Sequence, residues 1–345
     1  AVRDEGLVGA AALCALLVSG YTEPVVAPRV PWHLVAQQAM ALLLERGATA
    51  RGDLERTLRS LFEALEPSGI GLVLDTMIER GILWADAGQL WFGPAGEREY
   101  GARNFLELVS SFTSPQLFKV LHGQQELGFV DPVSLAASGQ GPAILSLGGR
   151  SWRVQSSDWK RRVVWVEPTD AAGRSQWLGA TRGLPFALAQ AMKRVLTGDD
   201  VAATLSARAT ARLAALREEH EFLVNDATSL VEDAKGGWTW WTFAGTRGNS
   251  VLAAALARHG ALAPRALTDL GIEFSSRPQF DPDALRALVP DVRAPLDVEE
   301  AFIEELKFAS CLPDPLKSET AAARLIDRDA ALTITHLPVA LSRQT

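Results

Sequence analysis

Trp159-Lys160-Arg161-Arg162 sets one large aromatic ring beside three successive cations. That combination suits a nucleic-acid strand: cations neutralise phosphates and release counterions, while a ring face stacks on a base at ~1–3 kcal/mol. The string lies in Arg150–Arg217, which holds twelve Lys/Arg, Arg174, Lys193 and Arg217 among them, against five Asp/Glu. The segment is therefore +7 in a chain of −7, and the remainder is −14. Trp152, Trp165 and Trp177 share the segment, and Trp238, Trp240 and Trp241 follow it. A plainer reading stands beside this one. Trp152, Val154 and Ser156 alternate as on a strand with one core face, Trp165 lies between valines, and Arg208, Arg212 and Leu216 share a helical face where solvated arginines are ordinary.

Other chemistries find little support. No Gly-x-x-x-x-Gly-Lys-Ser/Thr loop is present for nucleotide phosphates, and Gly69-x-Gly71 reads as a helix start. The five histidines are scattered; His220 lies among Glu218, Glu219 and Glu221, a solvated helix face rather than a metal site. Ser157-x-x-Lys160 matches a hydrolase motif in spacing but lacks its companion motifs. Cys14 and Cys311 are too few for a thiolate zinc site and fit a reducing compartment.

The elements that must position these residues can be read in order. A buried helix is expected over Leu7–Val18, a stretch too short to span a bilayer. Helices are expected over Trp32–Arg46, over Asp53–Leu65 with Asp53 as N-cap, and from about Ser68 to a C′ glycine at Gly81. Ile82–Ala85 and Gln89–Phe92 then read as a hairpin. Three helices and a two-stranded wing are the order of a winged-helix domain. Its third helix carries Asp75, Glu79 and Arg80, a net of −1, so protein docking is a more natural use than DNA contact. Trp84 and Trp91 on the hairpin are candidates either to stack on a base or to seal a small core.

A helix from about Gly96 to Phe112 is expected next. Short strands follow at Leu117–His122, Glu126–Val130, Ile144–Leu147, Trp152–Ser156, Arg162–Val166 and Trp177–Leu178, with a linker-like stretch at Ala137–Pro142. Short strands joined by Gly-rich turns suggest a small curled antiparallel sheet or barrel. The remainder reads as mostly helical (Pro185–Leu196, Ser206–Val224, Ser250–His259, Asp283–Leu288, Asp297–Leu306), with strands at Trp238–Phe243 and Ile272–Phe274. The class is α+β. At 345 residues the chain suggests two or three domains. Asp4 and Glu5 beside Arg3 do not suit a signal peptide, so a cytoplasmic location and no membrane partner are expected. A start at Ala-Val-Arg-Asp suggests a piece of a longer protein.

Several strings, taken together and in order, resemble Lhr-type (large helicase-related) DNA helicases. They are Val30-Pro31-Trp32-His33-Leu34-Val35-Ala36-Gln37-Gln38, Phe129-Val130-Asp131-Pro132 and the run Trp159–Pro168. Gly173-Arg174-Ser175-Gln176-Trp177-Leu178-Gly179, Trp240–Asn249 and Leu306–Pro313 complete the set. The resemblance implies the half that follows two RecA-like motor lobes. That half would comprise a lead-in at 1–28, a winged helix at 29–113 and a β-barrel-like plus helical domain at 114–345. It also implies single-stranded DNA or an RNA–DNA hybrid as partner, and ATP-driven 3′-to-5′ unwinding by the whole helicase, with a link to DNA repair.

On that reading, ATP and magnesium belong to the motor lobes, in cis or in trans, and this chain needs no cofactor and no metal. Without Walker motifs it is expected to be non-catalytic alone. Lys160, Arg161, Arg162, Arg174 and Arg247 would contact phosphates, with Trp159, Trp177 or Trp84 stacking. Two other readings stay open. One is a DNA glycosylase-like base-excision enzyme, with Gln37 or Gln38 positioning water; the other is a protein-docking scaffold.

Overall fold

The computed structural model describes residues 5–101, 104–110, 117–130, 134–135, 143–171, 183–198, 205–260, 262–279, 281–296 and 306–343. The chain forms two compact units, Ala1–Ser111 with Arg182–Thr345, and Phe112–Thr181.

In the larger unit, α1 spans Glu5–Val18, α2 Trp32–Arg46, α3 Arg51–Leu61 and α4 Pro67–Glu79. The hairpin of β2 (Leu83–Asp86) and β3 (Gln89–Phe92) follows α4, and β3 also pairs with the short β1 (Thr49–Ala50). Ala87 and Gly88 both take positive φ, 47° and 77°, as a two-residue turn with the right twist for a hairpin requires. Helix α3 starts two residues earlier than expected, so Asp53 lies in its first turn and pairs with Arg56 at 2.9 Å instead of capping. Apolar residues at helical spacing on α2, α3 and α4 close over Leu83 and Leu90 of the hairpin.

The helix expected from Gly96 to Phe112 is not continuous. Helix α5 covers only Pro94–Tyr100 and is capped at Gly101, whose N–H bonds the Glu97 carbonyl; a 3-10 turn at Phe105–Leu108 follows. A Cβ at Gly101 would lie 2.4 Å from that carbonyl oxygen, so the close approach depends on glycine.

The region expected to be mostly helical carries a five-stranded sheet. Its order is β11 (Ala266–Leu267), β12 (Gly271–Phe274), β10 (Trp238–Trp241), β9 (Thr228–Glu232) and β13 (Val339–Arg343). All pairings are antiparallel except β13 with β9, where Leu341 lies opposite Leu230. Helices α6 (Phe186–Thr197) and α7 (Ala207–Glu219) share a core with α1, through Val8, Ala12, Met192, Val195, Leu213 and Leu216. Helix α7 ends before the expected Val224, and Ser206 caps it by accepting the Ala209 N–H. Helices α8 (Gly245–Arg258), α9 (Pro282–Leu288) and α11 (Arg328–Thr335) pack on the sheet. Helix α10 (Asp314–Arg324) belongs with α2: Trp32 Nε1 donates to Glu319 Oε2 at 2.9 Å, and Phe308, Cys311 and Leu312 complete the α2–α4 core. The expected strand at Trp177–Leu178, the stretch Ala137–Pro142 and all but Leu306 of the expected helix Asp297–Leu306 lie outside the described residues.

The smaller unit is a curled sheet ordered β5 (Gln125–Val130), β4 (Phe118–His122), β8 (Val163–Pro168), β7 (Arg150–Asp158) and β6 (Ile144–Leu147). Strands β4 and β8 run parallel and the other pairs antiparallel. Alternation decides its buried face, made by Phe118, Val120, Val130, Leu145, Trp152, Val164 and Val166. No helix among the described residues is long and apolar enough to cross a membrane.

Candidate nucleic-acid interface

The four residues Trp159–Arg162 join β7 to β8, and all four are exposed. Three contacts fix the loop on its own unit. The Trp159 ring meets the buried Phe118 edge-on at 4.8 Å between centroids and remains 57% exposed. Asp158 Oδ1 accepts the Arg161 N–H at 2.9 Å, and the Arg162 carbonyl accepts the Lys119 N–H at 2.9 Å. Arg162 itself takes a left-handed φ of 53°. The ring is thus packed against the core of its own unit while more than half of it stays open to solvent.

The cations are only lightly engaged. Arg161 Nε lies 3.8 Å from Asp158 Oδ2 with the guanidinium 81% exposed, a geometry worth little in water. Lys119, below the loop, is paired with Glu126 at 2.8 Å.

The other expected residues are placed as follows. Arg174 and Trp177 lie outside the described residues. Arg247 and Trp84 belong to the larger unit. Trp84 is 58% exposed on β2, opposite Trp91, on a hairpin without a lysine or arginine of its own and with Asp86 beside the turn. Arg247 lies half-buried in the first turn of α8, and its carbonyl accepts the Asp327 N–H at 3.1 Å. The polar side chains around it are structural. Asp269 Oδ1 accepts from the Leu184 N–H at 2.7 Å and from both the N–H and hydroxyl of Thr246, while the Thr242 hydroxyl bonds Asn249 Oδ1. These bonds hold the sharp bend at Phe243 and Gly245, where φ is 52° and 70°.

The basic segment is weaker as a surface than its count suggests. Lys193 is 2% exposed, and its ammonium donates to the Asn225 and Ala227 carbonyls at 2.7 Å each. Burial lowers its pKa, partly offset by Asp226. Arg217 is tied to the Val195 carbonyl at 2.9 Å. The smaller unit, Phe112–Thr181, has seven Lys/Arg against five Asp/Glu, a net of +2. Among the tryptophans, Trp152 and Trp240 are buried and spend their indole N–H groups on Leu147 and Thr228.

The N-terminal motif is likewise structural in this fold. Gln37 is buried and donates to the Leu108 carbonyl at 2.6 Å, which occupies the amide proposed for water positioning. His33 is 1% exposed and takes a hydrogen bond at Nε2 from Arg324 at 3.0 Å. Burial, then the Arg324 charge, lowers its pKa to about 4, and Nδ1 has no partner among the described residues. No group of three or more His, Cys, Asp and Glu among the described residues could hold a metal ion.

Comparison of the structure finds a solved helicase, Mycobacterium smegmatis Lhr bound to ssDNA and AMP-PNP, with a TM-score of 0.56 over 98% of this chain. The fold is Lhr-like. Sequence identity is 17%, and the chain spans 50% of the length of that helicase chain. No protein-family model matches the sequence, and no curated protein matches it. Two strings far apart in sequence meet in this fold: Trp32, Val35 and Ala36 share one core with Phe308, Cys311 and Leu312.

Proposed function

We propose that this chain is a nucleic-acid-binding module of an Lhr-like ATP-dependent DNA helicase, guiding single-stranded DNA while motor lobes translocate 3′ to 5′. The β7–β8 loop carries the reading: an anchored, solvent-facing Trp159 beside three exposed cations. The likeness to an Lhr structure supports it, since that protein was solved with ssDNA. On this reading the three helices and hairpin over Trp32–Phe92 act as a winged helix, with Trp84 a second stacking position. ATP and magnesium would serve the motor lobes, and the helicase would work on DNA in the cytoplasm.

Fluorescence anisotropy with a labelled oligothymidylate tests the proposal. Binding should weaken as salt rises, with log K against log salt falling at about −0.7 for each phosphate neutralised. Replacing Lys160, Arg161 and Arg162 together by glutamine should remove about two from that slope. Full retention of affinity and slope in that variant would refute the loop as the interface. Competition with an RNA–DNA hybrid decides which partner is preferred.

A further inference from the structure

Four arginines far apart in sequence converge near one short 3-10 turn, Val289–Asp291, of the larger unit. Arg293 and Arg328 each donate an Nη1 hydrogen to the Pro290 carbonyl, at 3.0 and 3.2 Å, so these nitrogens lie no more than 6.2 Å apart. Arg258, from the last turn of α8, donates to the next carbonyl, Asp291, at 2.9 Å. Arg29 completes the group by pairing with Asp329 at 2.7 Å. Among the described residues, Arg258, Arg293 and Arg328 have no carboxylate within ion-pair distance.

One or two donors suffice to satisfy the carbonyls of a short helical turn, whereas three guanidinium groups crowd these two oxygens. Arg328 is also the first residue of α11, where the helix dipole disfavours a cation. Of the acids that border the group, Asp329 pairs with Arg29 and Asp327 is the N-cap accepting the Ala330 N–H, while the exposed Asp291 closes the 3-10 turn itself. Burial, then Arg293 and Arg29, lowers the pKa of Arg328, with Asp329 opposing. Arg258, Arg293 and Arg328 are held by backbone carbonyls rather than by carboxylates, which leaves guanidinium N–H groups of the kind that bind phosphate oxygens. The cluster also adjoins Arg247, whose carbonyl bonds the N–H of Asp327, the residue before Arg328.

We infer that Arg29, Arg258, Arg293 and Arg328 form a phosphodiester-binding site, a second contact for the backbone of the bound strand. The inference rests on the nucleic-acid reading above.

The test uses the full chain, a labelled oligothymidylate, and two variants, R293Q/R328Q at the cluster and R161Q/R162Q at the loop. R293Q/R328Q should bind about five- to tenfold more weakly at low salt and reduce the salt slope by about 1.4, whereas R293K/R328K keeps the slope. If R161Q/R162Q weakens binding and R293Q/R328Q does not, the cluster is not a contact and the functional reading stands. If both bind like the parent, or the parent does not bind, the functional reading falls and this inference with it. Inorganic phosphate that raises the melting temperature of the parent alone, with strand affinity unchanged in R293Q/R328Q, would mark a free-phosphate site and overturn the inference. Should R293Q/R328Q not fold, arginine modification of the parent by hydroxyphenylglyoxal, read by mass spectrometry, decides. Protection of Arg293 and Arg328 by the oligonucleotide is expected, and equal modification with and without it would refute the site.

Discussion

Trp159 and His33 show how similar apolar pressure yields opposite roles. Trp159 packs on Phe118 and stays more than half exposed, so W159A should cost ~1–3 kcal/mol of strand binding, read by anisotropy, and little stability. His33 is wholly enclosed between α2 and α10 and is neutral in the native state, with a pKa of about 4. An unfolded histidine titrates near ~6.5, so between those values the unfolded chain binds more protons. Stability is therefore full above pH ~6.5 and falls as the pH drops towards about 4, by roughly 2 kcal/mol at pH 5. Urea unfolding at pH 7 and pH 5 should show that loss in the parent and a flatter dependence in H33Q. Charge was the least legible property at this scale. Lys193 reads as one more surface cation in a basic segment, and only the folded backbone reveals two carbonyls waiting for it.

Elements whose signals are local were legible; those defined by distant partners were not. The Ala87-Gly88 turn between short apolar runs identifies the β2–β3 hairpin, and the β7–β8 loop falls where its flanking valines and alternation place it. Strand β13 has no such signal: Val339–Arg343 is a strand because it lies parallel to β9, more than a hundred residues earlier. The close approach of α4 to α2 is equally hidden, although it can be tested. A Cβ at Gly69 would lie 2.2 Å from the Trp32 ring, which is itself held by Glu319, so the ring has little room to yield. G69A should destabilise the chain by about 1–3 kcal/mol in denaturant unfolding. Arg162 offers the converse. Its left-handed backbone is one glycine adopts readily, so R162G should keep the fold and reduce the salt slope of binding by about 0.7.

Across the whole molecule, the −7 net charge gives little guide to the partner. The smaller unit is +2, which leaves −9 on the larger one, where the arginines around Val289–Asp291 form a local exception. Binding through the loop alone predicts a salt slope near −2, and binding through loop and cluster together predicts a steeper one. A titration of the full chain separates the two without any mutation.

The hydrogen bond from Trp32 to Glu319 joins residues 287 positions apart. During synthesis at ~5–20 residues per second, the α2–α4 helices would wait roughly 12–47 s for the segment that seals them. Throughout that interval the faces destined for Phe308, Cys311 and Leu312 remain uncovered. The same long-range closure that gives the finished domain its core leaves the nascent chain with apolar surface open to water.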